Sequence, residues 1–179
     1  NFARKDSTGV CFIGERPFRD FLGNYLPAQA GDICVAETGH VIGKHTGLMY
    51  YTLGQRRGLG IGGVKGADER PWFVCEKKLE QKQLWVTQNP EYPTLSSQSL
   101  WVKNWHWLIE APHLPWRGTA RIRHRQALQA CEVFLDAQNH AYQVRFDAPQ
   151  WAIAPGQYIV LYQGSQCVAS GVMETELSI

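Results

Sequence analysis

The spacing of hydrophobic positions changes part-way along this 179-residue chain. Phe18, Phe21, Leu22, Tyr25 and Leu26 recur at helical spacing and form one apolar stripe, which predicts a helix over 16–27. Pro17 suits its first turn, where a missing N–H costs nothing, and Pro27 ends it. Gly23 weakens it. After Gly31 the pattern becomes short β-rich runs separated by glycine. Strands are predicted at 33–37, 48–53, 72–78 and 84–87, the last two as a hairpin around EQKQ. The stretch 89–99, NPEYPTLSSQS, is rich in Pro and Ser and reads as a linker or domain boundary. Six further strands are predicted at 100–109, 119–126, 130–136, 142–147, 158–163 and 166–172. Tyr142, Val144 and Phe146 alternate with Gln143 and Arg145, the period of a half-buried strand. Asn139 and Gly164-Ser165 supply hairpin turns. The expected fold is mainly β with one or two short helices, its later part a small barrel or sandwich of about six strands.

Composition adds little to this picture. The chain is 44% hydrophobic and 19% charged with a net charge of +2, so charge neither demands nor excludes nucleic acid. No apolar run approaches the roughly 20 residues of a membrane span, and no basic-then-apolar leader points to secretion. The chain opens NFARKD and its methionines are Met49 and Met173, which reads as a piece of a longer protein. The five cysteines include no C-x-x-C, which argues against zinc knuckles and thioredoxin-type chemistry, and no metal site is expected. Dispersed, unpaired cysteines fit a reducing cytoplasm. Cys34, Cys75, Cys131 and Cys167 lie in strand-like runs and read as structural. Cys11, in DSTGVCFIGERPF, sits between a polar turn and a helix start, where a loop could expose it. The residues alone leave it open whether Cys11 is a small core residue or a reactive thiol.

Several motifs bear on chemistry. GLGIGG at 58–63 matches G-x-G-x-x-G, but VKGADERPW follows it rather than a helix, so a dinucleotide fold is rejected. GHVIGKH has three residues between its glycines and His45 where a phosphate loop needs Ser or Thr, so that reading fails too. Arg56 and Arg57 open the glycine-rich stretch, which could grasp an RNA backbone or be a plain loop. From Ala111 to Cys131 there is no Asp or Glu. On a regular strand Arg121, Arg123 and Arg125 would share one face, a strip suited to phosphates or a solvated outer face of a barrel. His124 could stack on a base only where that strand ends or bulges. In APGQYIVLY, Pro155-Gly156 reads as a turn with Gln157 at the lip of a strand. Trp101, Trp105 and Trp107 fall on one face at strand spacing and read as core.

Together DSTGVCFIGERPFRDFLGNYLPAQAG, GLMYYTLGQRRGLGIGG, RIRHRQ and APGQ resemble the tRNA-specific 2-thiouridylase family over essentially the whole chain. These enzymes replace O2 of the wobble uridine with sulfur. The resemblance is to the family's C-terminal half, and its S-G-G-x-D-S phosphate loop has no counterpart in this sequence. It implies that residues 1–30 finish a catalytic domain, 31–90 form a central β domain and 91–179 form a tRNA-binding β-barrel. It implies that Cys11 carries a persulfide, and that Arg123, His124 and Gln157 contact tRNA. His124 stands where relatives often carry tyrosine, which keeps a ring and loses a hydroxyl.

The chemistry implied is ATP-dependent. ATP, bound by the domain this sequence lacks, adenylates the uridine oxygen so that AMP leaves in its place. A persulfide is more acidic than a thiol of pKa about 8.5 and is largely ionised at neutral pH, which makes it a competent sulfur nucleophile. Cys11 would take sulfur from a relay protein and attack directly, or release sulfide as a second cysteine forms a disulfide with it. The implied partners are tRNA and that relay protein, with no DNA and no membrane, in the cytoplasm, and residues 1–179 alone are expected to be inactive. The alternative from the residues is a non-catalytic RNA-binding β module, which would keep the arginines and not need Cys11.

Overall fold

The computed structural model of the chain describes residues 21, 23–61, 70–138 and 141–174. Ten strands lie among them: β1 Gly31–Val35, β2 Val41–His45, β3 Phe73–Lys78, β4 Gln83–Thr87, β5 Ser96–Trp107, β6 Trp116–Arg121, β7 Gln129–Asp136, β8 Ala141–Trp151, β9 Tyr158–Gln163 and β10 Gln166–Glu174. The first four make a sheet of order β2-β1-β4-β3, with β1 and β4 parallel and the other neighbours antiparallel. The last six close into an antiparallel barrel of order β10-β5-β8-β7-β6-β9. Closure removes the unpaired edges that an open sheet presents to other chains. The predicted mainly β fold, a small sheet followed by a six-stranded barrel, is the one observed.

Alternation along the strands fills the barrel. Val133 faces Val144 and Cys131 faces Phe146 across β7 and β8, and all four are buried with Leu100, Val102, Ile159, Leu161 and Met173. The sheet has its own core of Ile33, Val74, Leu84 and Val86, to which the segment before β3 adds Tyr51, Leu59 and Ile61. A third cluster lies where the two units meet. Cys75 of β3, Leu95 and Ala152 are buried there, flanked by Phe73, Trp85, Tyr92 and Trp151.

Four sequence expectations need correction or refinement. The run at 48–53 is not a strand but a 3-10 turn, Leu48–Tyr50, closed by the Tyr51 amide on the Leu48 carbonyl at 3.2 Å. A short apolar run carries no period that separates the two. Strand β2 went unpredicted because Gly43 and Lys44 interrupt its apolar pattern. The segment 89–99, read as a linker or domain boundary, does run from the sheet to the barrel, but it is ordered rather than loose: it contains the 3-10 turn Pro93–Leu95 and the start of β5, and Leu95 is fully buried. The three tryptophans do not share a face. Gly171 of β10 stands opposite two residues, Asn104 and Trp105, between the pairs Ser170–His106 and Val172–Lys103. This bulge places Asn104 at φ 50°, a conformation asparagine tolerates better than most residues. It reverses the alternation, so Leu100 and Val102 point inward before it and Trp105 and Trp107 pack on the core after it, leaving Trp101 on the other side. Trp105 stacks on Tyr142 at 4.4 Å.

Of the predicted helix, Phe21 and Gly23 are helical and the Asn24 amide bonds the Phe21 carbonyl. Residues 1–20, with Cys11, and Leu22 lie outside the described residues. Among the described residues no helix is long and apolar enough to cross a membrane.

Candidate nucleic-acid interface

The acid-free arginine stretch does not form one strand face. Strand β6 ends at Arg121, and residues 122–126 turn back toward β7. The Gln126 amide bonds the Arg123 carbonyl at 3.2 Å, and Arg125 has φ 61°. The turn does what a regular strand could not, bringing Arg121, Arg123, His124 and Arg125 around one groove of about 610 Å³. Arg117 stays outside it on the barrel wall, paired with Asp147 at 2.5 Å.

A chain of glutamines holds this turn. Gln126 accepts from the Ile122 amide at 2.9 Å and donates through Nε2 to Gln150 Oε1 at 2.9 Å. Gln150 is only 3% exposed and donates in turn to the Ala148 carbonyl at 2.9 Å and to Gln129 Oε1 at 3.4 Å. Buried amides are stable only when their donors and acceptors are met, and these are met by one another.

The opposite lip comes from the turn Ala154-Pro155-Gly156-Gln157. Pro155 presets its own φ and Gly156 takes φ 83°, as a type II turn requires. The Gln157 amide bonds the Ala154 carbonyl at 3.3 Å, and the Gln157 carbonyl accepts from Met173 at 2.7 Å, which anchors the turn on β10. The Gln157 side chain is exposed beside Tyr158, itself 65% exposed. Arg121 packs over the Tyr162 ring at 5.6 Å, and its buried Nε has no hydrogen-bond partner among the described residues.

A second hollow, of about 400 Å³, adjoins the first and shares Arg123, His124 and Gln157 with it. Its other wall is Thr52, Leu53, Gly54 and Gln55, from the segment that leads into the sheet. None of the residues lining these two hollows is acidic. Arg123, His124 and Gln157, which are 33 residues apart or adjacent in sequence, are therefore brought together at the junction of sheet and barrel.

The four described cysteines are buried or half-buried within strands, as their sequence context predicts. Burial, with Glu37 and Glu76 nearby, pushes the Cys75 thiol up to about 12. Burial and Asp147 push Cys131 up to about 12. No group of three or more His, Cys, Asp or Glu suited to a metal ion occurs among the described residues.

Comparison with known proteins identifies the relatives of the chain. Residues 19–88 match the tRNA methyl transferase PRC-barrel domain, and residues 97–173 match the aminomethyltransferase beta-barrel domain. The chain is 50% identical over 175 residues to the tRNA-specific 2-thiouridylase MnmA of Actinobacillus succinogenes, covering 97% of this chain and 44% of that protein. It is 51% identical over 175 residues to MnmA of Alcanivorax borkumensis, covering 97% and 48%. It is 44% identical over 174 residues to MnmA of Nitrosomonas eutropha, again covering 97% and 48%. The chain belongs to the tRNA-specific 2-thiouridylase family. It spans about half the length of the curated relatives it matches. Within that family frame, sequence reasoning found the barrel side of the groove and missed its sheet side. Thr52 to Gln55 lie inside the quoted motif GLMYYTLGQRRGLGIGG, but nothing in their residue types marks them as a wall. The glutamine chain was missed for the same reason.

Proposed function

We propose that this chain supplies the tRNA-gripping part of a tRNA-uridine 2-sulfurtransferase, which replaces O2 of the wobble uridine with sulfur. The observation that carries the reading is the convergence of Arg123, His124 and Gln157 on one acid-free groove with Arg121 and Arg125. Guanidiniums suit phosphate oxygens, an imidazole ring can stack on an unpaired base, and a glutamine amide can both donate to and accept from a base edge. Arg56 and Arg57, both exposed, directly follow the Thr52–Gln55 wall in sequence.

Cys11 is the persulfide carrier in this reading, supplied by a sulfur-relay protein in the cytoplasm. Neither glycine-rich motif forms a phosphate loop among the described residues. Residues 41–45 of GHVIGKH are strand β2, and in GLGIGG Leu59 and Ile61 are packed into the sheet core. In this reading ATP is held by a part of the full-length protein outside residues 1–179, which are expected to make no 2-thiouridine alone.

The test uses the full-length protein. His124→Ala with Gln157→Ala weakens tRNA binding, and Cys11→Ser abolishes thiolation while leaving tRNA affinity intact. Unchanged affinity in the double variant removes the groove from the reading. Thiolation that survives Cys11→Ser leaves an RNA-binding module with no role for that thiol.

A further inference from the structure

We propose that Arg123 is a positioning residue: it fastens the four-stranded sheet to the barrel and so sets the width of the groove between them. This rests on the reading of that groove as the tRNA site. Arg123 extends from the turn after β6 and reaches inward. Its Nη2 donates to the Ala152 carbonyl of the barrel at 2.7 Å and approaches the Leu53 carbonyl of the sheet side at 3.5 Å. The guanidinium lies over the Trp151 ring at 5.5 Å. Trp151 is itself held across the junction, with Nε1 on the Pro90 carbonyl at 3.0 Å and its ring edge-on to Phe73 of β3 at 5.5 Å. One guanidinium thus touches backbone from both units and an aromatic that touches both.

The junction is built for close approach. Gly54 has φ 75°, and a Cβ there would lie 2.5 Å from the Ala152 Cβ and 2.7 Å from the Trp151 ring. Ala152 is itself held at φ 52°, with its amide on the Leu95 carbonyl at 2.7 Å. Such a conformation in a non-glycine residue persists only where the surroundings enforce it.

A residue whose only task is to meet phosphate would not commit its terminal nitrogen to carbonyls inside the protein. The walls of the smaller hollow explain the arrangement. Thr52 to Gln55 come from one unit and His124 and Gln157 from the other, so the surface exists as one piece only while the units are held together. Lysine is a poor replacement for Arg123 here, because its side chain ends one bond short of the Nη2 position that meets the Ala152 carbonyl at 2.7 Å and approaches the Leu53 carbonyl at 3.5 Å.

The intact protein provides the test. Spin labels on encoded non-cysteine residues replace Glu80, in the β3–β4 turn, and Ala137, in the β7–β8 turn, both exposed. Their distance distribution is measured without tRNA for the otherwise unaltered protein, Arg123→Lys and Gly54→Ala. Unlabelled counterparts are titrated with tRNA. The latch predicts a broadened distribution in both variants. It also predicts that Arg123→Lys loses tRNA affinity by about ten- to a hundredfold, the scale of a lost charged hydrogen bond, although its charge is kept. Gly54→Ala opens the same junction without altering any charge and carries the test if Arg123→Lys does not fold. Unchanged distributions in the variants that fold overturn the proposal, as does Arg123→Lys binding tRNA like the parent while His124→Ala plus Gln157→Ala loses affinity. Broadened distributions with no loss on His124→Ala plus Gln157→Ala support the latch and overturn only the groove reading.

Discussion

Substituting Gln150 by glutamate changes one atom type and tests the buried glutamine chain. Glutamate keeps an oxygen to accept from Gln126 Nε2 at 2.9 Å. It replaces the donor that faces the Ala148 carbonyl at 2.9 Å and Gln129 Oε1 at 3.4 Å. An ionised carboxylate would point at two acceptor oxygens from a site only 3% exposed. Its neutral form could still donate, so the folded state favours the proton and the folded pKa rises above the unfolded value of about 4.3. The stability of Gln150→Glu is therefore greatest below that unfolded value and is lost as pH rises toward the folded pKa. Each pH unit in that window costs about 1.4 kcal/mol. A folded pKa of about 7 or above then makes the variant less stable than the parent by about 1 kcal/mol at pH 5 and about 3–4 kcal/mol at pH 7. Urea unfolding followed by tryptophan fluorescence at both pH values, with the parent protein as reference, measures the difference. An equal loss at pH 5 and pH 7 would refute the reasoning, because it would mean that the donor side of Gln150 is solvated or unused.

Four further outcomes follow from the same structure. Iodoacetamide at pH 8.5 should leave Cys75 and Cys131 unmodified in the folded protein and label both in urea, since each thiol is pushed up to about 12; labelling of either in the native state contradicts their placement. The sign of the linkage is that these thiols stabilise the fold below about 9 and stop doing so as pH rises toward about 12, so Cys131→Val should flatten the alkaline loss of stability. Gly156→Ala has nothing within 4 Å of the new Cβ, so its cost should be backbone strain alone, about 1–2 kcal/mol by chemical denaturation; a neutral result would mean that the APGQ turn changes type. Asn104→Val should destabilise the barrel by a similar amount of about 1–2 kcal/mol while Asn104→Gly should not, and equal melting temperatures for the two would remove the strained bulge from the account.

The strands that the sequence reveals are those whose environment repeats every second residue. Tyr142, Val144 and Phe146 are legible because β7 and β8 pair regularly there, and Phe73–Lys78 with Gln83–Thr87 is legible because a short polar turn joins them. The motifs carry the family, and the roles of Arg123, His124 and Gln157 as tRNA contacts rest on that resemblance. Where β6 ends was not legible, because Arg-Ile-Arg-His-Arg alternates as a strand would, and it is hydrogen bonds to and from Gln126, with the Ile122 amide and the Arg123 carbonyl, that hold it in a turn. The face of Trp105 was not legible either, because one residue inserted opposite Gly171 moves every later side chain of β5 to the other side. The sheet wall of the groove, the glutamine chain and the inward reach of Arg123 belong to tertiary structure alone. Each joins backbone or side chains distant in sequence, as Leu53, Arg123 and Ala152 are, and no local period or residue type records which carbonyls will be near a guanidinium once two separate cores have packed together.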